Sequence, residues 1–238
     1  MIVLIDADSL IWSSCYKQKE SPECTGYHNI EEAKDKYNEV VMKIINTIEV
    51  DHEVDKVITF AGARGNFRKQ ISKTYKANRI GREVPPILNE LQEYVKEQYE
   101  AKIGYGVETD DLVATYWTNL TETFGRDEVI IVSIDKDYKQ LPCIIYDYHY
   151  KKQCYHNITE AEAKYNFWEQ MIIGDTADNV NFCKGYGVKY VKNAFKDCLS
   201  DYNYIRVVFS LFKKIHKQKA RERFIECYLL LKLKTNKI

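Results

Sequence analysis

Eight acidic residues stand at points where the predicted secondary structure changes. They are Asp6, Glu108, Asp110, Asp111, Asp135, Asp137, Asp175 and Asp178. Singly, acids at such positions are most often helix caps or turn formers. Carboxylates that converge repel one another unless a cation lies between them, and oxygen ligands without His or Cys suit magnesium or manganese. A converging cluster of this kind serves a two-metal phosphodiesterase.

A basic segment follows the second predicted strand. No acid occurs from Lys56 to Arg82, and seven cations accumulate in the second part of this range: Arg64, Arg68, Lys69, Lys73, Lys76, Arg79 and Arg82. The pairs Phe67-Arg68 and Tyr75-Lys76 offer positive charge for phosphates and an aromatic ring that can stack on a base. The alternative is a solvated helix face, and the absence of acids at i+4 spacing counts against it. A second basic stretch, Lys213 to Arg223, contains one acid, Glu222.

Two glycines, Gly185 and Gly187, flank one residue just before a predicted helix. Because they lack side chains, the backbone there can approach a phosphate, with amides and a helix N-terminus pointing outward. A Gly-x-Gly motif alone is a weak indication. The preceding acids Asp175 and Asp178 strengthen it.

The elements that must position these residues alternate between strand and helix. Short apolar runs predict strands at Met1–Ile5, Val57–Phe60, Val129–Ile134 and Ile144–Tyr148, and helical periodicity predicts helices at Glu31–Val50, Pro86–Gln98 and Thr109–Thr123. This alternation predicts a parallel sheet with helices on both faces and sites at the carboxyl ends of its strands. We expect Thr109 to be the N-cap of its helix.

After Tyr148 the strand signals stop, so the rest of the chain is predicted to be helical. The predicted helices are Glu160–Ile173, Tyr186–Leu199, Tyr204–Lys217 and Ala220–Leu233. The predicted organisation is an α/β core over residues 1–158 and a helical subdomain over residues 159–238.

Composition excludes several classes of protein. The 238 residues are 45% apolar and 29% charged, with 35 basic and 35 acidic side chains, which is typical of a globular protein. No apolar run approaches the roughly 18 to 20 residues that span a bilayer, and the N-terminus does not resemble a signal peptide. Seven cysteines without a CxxC pair fit neither a disulfide framework nor a zinc knuckle, and we assign no role to the five histidines. We expect a protein that works in the cytosol.

The order of motifs resembles the 5′-nucleases of the flap endonuclease type, particularly those of bacteriophages. The matching motifs are Leu4-Ile5-Asp6, Asn66-Phe67-Arg68 leading to Tyr75-Lys76-Ala77-Asn78-Arg79, Glu108-Thr109-Asp110-Asp111, Ser133-Ile134-Asp135-Lys136-Asp137 with Gln140-Leu141, and Gly174 to Asn179 with Gly185-Tyr186-Gly187. They span residues 4 to 189 in family order. Five ordered motifs are improbable by chance.

The resemblance implies a PIN-like nuclease core, a basic arch near residues 62–85 and a helix-three-turn-helix element that binds duplex. It implies two or more magnesium ions, replaceable by manganese, held by the eight acids, with Asp6, Asp111 and Asp135 central to catalysis. Lys76 and Arg79 would act on the scissile phosphate. A potassium ion would sit at the hairpin. The implied DNA contacts are Arg68, Tyr75, Lys76, Arg79, Gly185, Gly187 and Lys189.

The implied substrate is branched or 5′-ended duplex DNA, including RNA-primed DNA, and the implied partners are replication proteins. The chain is expected to act as a monomer, in the cytoplasm of an infected bacterium if it is of phage origin. The sequence departs from the family at Ala61, where many relatives have Asp, and at Lys184, where they have Pro. Two rivals stay open: a non-catalytic DNA-junction binder on the same fold and a PIN-type ribonuclease.

Overall fold

A five-stranded sheet forms the centre of the molecule, whose computed structural model describes residues 1–17 and 26–235. Its strands are β1 (Ile2–Asp6), β2 (Lys56–Phe60), β3 (Val129–Val132), β4 (Ile144–Asp147) and β5 (Cys154–Asn157), in the spatial order β2-β1-β3-β4-β5. The first four strands are parallel, and β5 is antiparallel to β4. The predicted parallel α/β sheet is confirmed.

The expectation that strand signals end at Tyr148 is wrong. Strand β5 has the sequence Cys-Tyr-His-Asn, and none of its four residues is fully buried. Its polar residues hide the alternation that marks a strand, and it forms because a tight turn returns the chain onto the edge of β4.

The helices before β3 cover both faces of the sheet, and the helices after β5 pack mainly against one another. They are α1 (Asp8–Ser14), α2 (Ile30–Asp51), α3 (Arg68–Ile71), α4 (Leu88–Gln98), α5 (Thr109–Phe124), α6 (Glu160–Ile173), α7 (Val188–Ala194), α8 (Asp201–His216) and α9 (Ala220–Leu231). Capping boxes begin α2 at Asn29 and α6 at Thr159. For α5 the predicted N-cap is wrong, since Glu108 is the cap and Thr109 is the first helical residue.

Three apolar cores hold these layers. One lies between the sheet and helices α1, α2 and α4, and a second lies between the opposite face of the sheet and α5. The third is formed by α6 to α9 and includes the ring of Tyr75 from the basic segment. The proposed division at residue 158 stays a prediction.

The described cysteines are six free thiols, and Cys24 lies outside the described residues. Over residues 1–17 and 26–235, no helix combines the length and the apolar character needed to cross a membrane.

Candidate functional site

An acidic cleft of about 230 Å³ opens at the carboxyl edge of the sheet. Its walls carry eight carboxylates, from Asp6, Asp8, Glu108, Asp110, Asp135, Asp137, Asp175 and Asp178, and three cations, from Lys76, Arg79 and Lys136. The strand register explains the convergence, because Asp6 at the end of β1 pairs with Phe60 of β2 and Ile5 pairs with Val132 of β3. Parallel strands therefore deliver their final residues to one edge.

Asp6 is a buried acid at this edge. Its Oδ2 accepts a hydrogen bond from the hydroxyl of Tyr138 at 2.8 Å, and its Oδ1 accepts one from the amide of Asp8 at 3.3 Å. Burial and the neighbouring Asp8 carboxylate raise the pKa of Asp6 to about 7. The site thus disfavours an ionised Asp6 unless a positive charge lies beside it.

Asp135 and Asp137 follow β3 on a 3₁₀ turn at Lys136–Gln140. Asp135 Oδ1 caps that turn by accepting from the amide of Asp137 at 2.9 Å, while Asp137 Oδ1 accepts from Gln170 Nε2 at 2.8 Å. Burial raises the pKa of both carboxyls, and together with the Asp135 and Asp175 charges it raises the pKa of Asp137 to about 7.

The start of α5 supplies Glu108 and Asp110. Burial and the charges of Asp111 and Glu108 raise the pKa of Asp110 well above its ordinary value. Burial also opposes ionisation of Glu108, but Lys76, Tyr75 and Arg68 together lower its pKa. Glu108 additionally accepts a hydrogen bond from the Tyr75 hydroxyl at 2.6 Å.

Asp175 and Asp178 lie in the turn that follows α6. Gly174 ends that helix at φ 79°, and a side chain there would collide with the carbonyl oxygen of Val180, so the turn requires glycine. Asp175 pairs with Lys136 Nζ at 2.8 Å. Burial opposes the ionised form, but Lys136 and the hydrogen bonds from the amides of Ala177 and Asp178 together lower the pKa of Asp175.

Lys76 and Arg79 reach the cleft from the basic segment. Lys76 Nζ pairs with Glu108 and lies 3.5 Å from Asp178 Oδ1, and Arg79 Nη2 donates to the same oxygen at 2.9 Å. The segment carries only the single turn of α3 and a 3₁₀ turn at Ala77–Arg79, so no long solvated helix face exists between residues 62 and 85. The structure thus brings both predicted cations to the predicted acids.

Three predicted site residues point elsewhere. Asp111 is 1% exposed and does not line the cleft, because its two oxygens accept from Arg68 Nη1 and Nη2 at 2.5 and 2.8 Å. Arg68 is 2% exposed and also donates to the carbonyls of Leu230 and Lys232. The structure therefore does not bring Asp111 or Arg68 to the predicted site: these groups form a buried ion pair.

Tyr75, which was also predicted to contact DNA, is buried. Its ring is 4% exposed within the helical core, and its hydroxyl donates to Glu108 and to Asp178 Oδ2 at 2.7 Å. A ring held this way cannot stack on a base. Its contribution to the site is to orient two acids.

Two residues of the cleft were missed in the sequence. Asp8 Oδ1 accepts from the amide of Gly62 at 2.8 Å, and its Oδ2 accepts from the Thr109 hydroxyl at 2.7 Å. Lys136 stands between the two acids of the Asp135 motif. Their closeness in sequence to predicted site residues could have identified them, because each is one or two residues from a predicted acid.

Ala61 does not line the cleft in this structure. It is buried at the end of β2 and packs with the core beneath α1 and α2. The carboxylate of Asp8 is instead the one that meets the backbone beyond β2, at Gly62.

The predicted hairpin is exposed beside α7. Gly185 has φ 91°, in the region that favours glycine, and Gly187 precedes the first residue of α7 with extended backbone. A side chain added at either glycine would meet no atom within 4 Å, and Lys189 is exposed on α7. The backbone here is accessible to a ligand.

The donor set of the cleft fits a hard divalent cation. All eight acidic side chains offer only oxygen, and four of them have raised pKa values for which a nearby cation would compensate. In the described residues, no three His, Cys, Asp or Glu side chains are gathered into a group that could hold a metal ion. Magnesium is compatible with this spacing because it binds through one or two carboxylates and keeps several waters.

The sequence of this chain is similar to those of known 5′-nucleases. A family model described as the 5′-3′ exonuclease N-terminal resolvase-like domain matches residues 1–167. The flap endonuclease Xni of Shewanella pealeana is 30% identical over 193 residues, which cover 75% of this chain and 73% of that protein. The 5′-3′ exonuclease of Buchnera aphidicola is 25% identical over 260 aligned positions, which cover 98% and 86%.

Solved structures share the fold. The bacteriophage T5 flap endonuclease, in a pseudo-enzyme-product complex with DNA and metal ions, superimposes with a TM-score of 0.61 at 16% identity, over 97% of this chain and 98% of that chain. A T5 protein co-crystallised with metal ions also gives 0.61, at 15% identity, over 97% and 99%. With the family model matching well over half of its residues, this chain belongs to the 5′-3′ exonuclease family.

Proposed function

We propose that this chain is a structure-selective 5′-nuclease that hydrolyses phosphodiester bonds of branched or 5′-ended duplex DNA with divalent metal ions. The observation that carries the proposal is the acidic cleft, where carboxylates from four separate segments meet Lys76 and Arg79. A cleft with this excess of buried acid is suited to metal ions that face a phosphate.

Seven residues would hold the metal ions: Asp6, Glu108, Asp110, Asp135, Asp137, Asp175 and Asp178. When bound, magnesium or manganese would stabilise charge on the scissile phosphate and lower the pKa of a coordinated water. Asp111 is left out of this set because its oxygens are committed to Arg68.

The cations of the cleft have a different task. Lys76 and Arg79 place positive charge on the wall of the cleft, beside the acids. Preorganised charge beside a developing anion lowers the barrier without reorganisation at the moment of reaction. Their present acidic partners keep both side chains in position.

The hairpin would bind the duplex flank. The exposed backbone at Gly185 and Gly187 can approach phosphates, Lys189 adds charge, and a potassium ion would complete the contact. Contacts to phosphate carry no base information, so selection would rest on the shape of the substrate. The T5 flap endonuclease that shares this fold was solved with DNA and metal ions, which supports DNA as the substrate.

The proposal also covers RNA-primed substrates, the oligomeric state and the partners of the protein. RNA-primed DNA is included among the substrates because phosphate contacts do not distinguish the sugar of the displaced strand. We propose a monomer that works with replication proteins in the cytoplasm.

The decisive experiment compares cleavage with binding. We expect 5′-labelled flap, nicked, gapped and RNA-primed duplexes to be cleaved only with magnesium or manganese. Asp135→Asn with Asp137→Asn should abolish cleavage yet leave duplex binding in calcium within about tenfold, because charge is lost inside the cleft and not at the hairpin. Asp127→Asn, an exposed acid outside the cleft, is the matched control.

Three outcomes would contradict the proposal. Binding without cleavage in any metal would indicate a junction-binding protein. Cleavage of RNA alone would indicate a ribonuclease. Equal losses of binding and cleavage in the double variant would make Asp135 and Asp137 structural residues.

A further inference from the structure

A second basic surface lies at the junction of α8 and α9. Five exposed cations are clustered there, Lys213, Lys214, Lys217, Lys219 and Arg221, and we call them the α8–α9 patch. None of the five forms an ion pair with an acid in residues 1–17 or 26–235. By contrast, Arg223 beyond them pairs with Glu226 at 2.6 Å.

The α8–α9 patch adjoins the glycine hairpin. His216 Nε2 lies 2.9 Å from the carbonyl oxygen of Phe182, and Lys214 Nζ lies 5.8 Å from the centre of the Tyr186 ring. Tyr186 is the residue between the two hairpin glycines. The last turn of α8 therefore borders the backbone that we assign to the duplex.

The link between the two surfaces is anchored in the helical core. Phe212 is fully buried and its ring lies 6.2 Å from that of Phe182 and 5.4 Å from that of His216. A close-packed contact of this kind holds the patch in a constant position relative to the hairpin.

Helix electrostatics explain only part of the patch. Lys213 and Lys214 lie in the last turn of α8, where cations are favoured by the helix dipole. Lys219 is the N-cap of α9 and Arg221 lies in its first turn, where cations are disfavoured. Mutual repulsion and an adverse dipole work against this cluster, Glu222 in the same first turn offsets part of both, and a bound anion would offset more.

We propose that the α8–α9 patch binds the phosphate backbone of duplex DNA and extends the contact that begins at the hairpin. This inference rests on the proposed function. Closely spaced phosphates along a duplex attract exposed cations that lack carboxylate partners, and the shared border with the hairpin makes the two surfaces adjacent. The patch would lengthen the footprint without reading sequence.

The test varies the length of the duplex. We compare arms of about 8 and about 24 base pairs in calcium, which separates the hairpin contact from a longer one. The variant is Lys217→Gly with Lys219→Ala. Neither residue is among those seen to contact the hairpin, and glycine suits position 217, where φ is 51°. Lys43→Ala with Lys151→Ala, two exposed lysines elsewhere, gives the same loss of charge as a control.

For the patch variant we expect binding of the long arm to weaken about tenfold and its salt slope to fall by about two units. Binding of the short arm should change less than about twofold, and cleavage of a short-armed substrate should be unchanged. A second variant, Arg221→Gln, should weaken the long arm alone.

Equal weakening of both arms, or no weakening of either, would overturn the proposal. Weakening of single-stranded DNA but not of duplex would overturn its duplex assignment. Failure of the proposed function looks different, since the unmutated protein would then cleave none of the substrates while the length comparison could still be measured.

Discussion

Lys76 shows at the scale of one residue how a cation is built into an acidic cleft. Its backbone lies in the left-handed region at φ 54°, which non-glycine residues seldom adopt, and its amide donates to the carbonyl of Asp178. Such positions persist where surrounding contacts impose them, and they cluster at active sites. The ammonium is thus held beside Glu108 by backbone as well as by charge.

We predict that Lys76→Ala lowers the single-turnover cleavage rate by about a hundredfold or more, as expected for loss of one preorganised electrostatic group. Duplex binding should weaken less, because the hairpin is untouched. Lys73→Ala is the control, an exposed lysine of the same basic segment. Similar rates for the Lys76 variant and the unmutated protein would remove Lys76 from the catalytic group.

Asp8 lines the cleft although the sequence analysis did not identify it. Its carboxylate joins the backbone beyond β2 to the start of α5 and stands next to Asp6. We predict that Asp8→Asn raises the magnesium concentration for half-maximal cleavage by roughly threefold to tenfold, since one negative charge leaves the cleft while the amide can still form both hydrogen bonds. Calorimetric titration with calcium should show the same weakening without turnover.

The control for Asp8 is Asp35→Asn, an acid on α2 outside the cleft. Unchanged metal affinity in the Asp8 variant, with a lowered thermal midpoint, would assign Asp8 to structure alone.

At the scale of elements, the Arg68–Asp111 pair ties α3 to α5 and to the C-terminal segment. Arg68 donates to the carbonyls of Leu230 and Lys232, and the amide of Lys234 donates to Asp111 Oδ1 at 2.8 Å. Arg68 Nη1 also lies 3.2 Å from Glu108 Oε2. Segments far apart in the chain thereby set the position of one wall of the cleft.

We predict that Arg68→Met lowers the free energy of unfolding by about 3 to 5 kcal/mol, because it leaves the buried Asp111 carboxylate without its partner. Arg64→Met is the matched control. Its pair with Glu93 is 61% and 49% exposed, so its loss should cost less than about 1 kcal/mol. Urea unfolding measures both, and equal costs would contradict a buried ionic tie.

For the molecule as a whole, zero net charge conceals a polarised distribution. Acids crowd the cleft at the sheet edge, and unpaired cations lie on the helical region. Close carboxylates repel one another, so the stability of the folded chain should depend on pH and on divalent cations.

We predict that in EDTA the free energy of unfolding falls as the pH rises from about 5 to 8. Asp6 and Asp137 have pKa values raised from 3.8 to about 7, so they hold protons more tightly when folded. Their contribution to stability is complete below pH about 4 and is lost as the pH rises through about 7, at about 1 kcal/mol or more per group. The lowered pKa values of Glu108 and Asp175 act only at lower pH.

Saturating magnesium should remove this loss, because bound cations stabilise the ionised carboxylates. Asp6→Asn with Asp137→Asn should flatten the pH dependence in EDTA. Urea unfolding midpoints at four pH values measure this dependence. An equal change of midpoint with pH in the variant and in the unmutated chain would show that these two acids do not control the pH dependence of stability.

Local sequence patterns predicted most of the strands and helices. Strands β1 to β4 could be predicted because each is a short apolar run closed by a polar residue, and α6 was predicted with the bounds that it has in the structure. The family and the α/β class are confirmed. Strand β5 and the cap at Glu108 were missed because each depends on a neighbour that the periodicity of the segment does not contain.

The residues of the cleft were mostly identifiable, since acids that end parallel strands must meet at one edge. The direction of each side chain was not. Asp111 and Asp110 are adjacent at the start of α5, yet one faces Arg68, which lies 43 positions earlier, and the other faces the cleft. The sequence alone thus places residues near a site, because spacing along the chain fixes where they stand on a strand or helix. Only long-range packing decides which carboxylates keep oxygens free for a metal and which pair with a buried arginine.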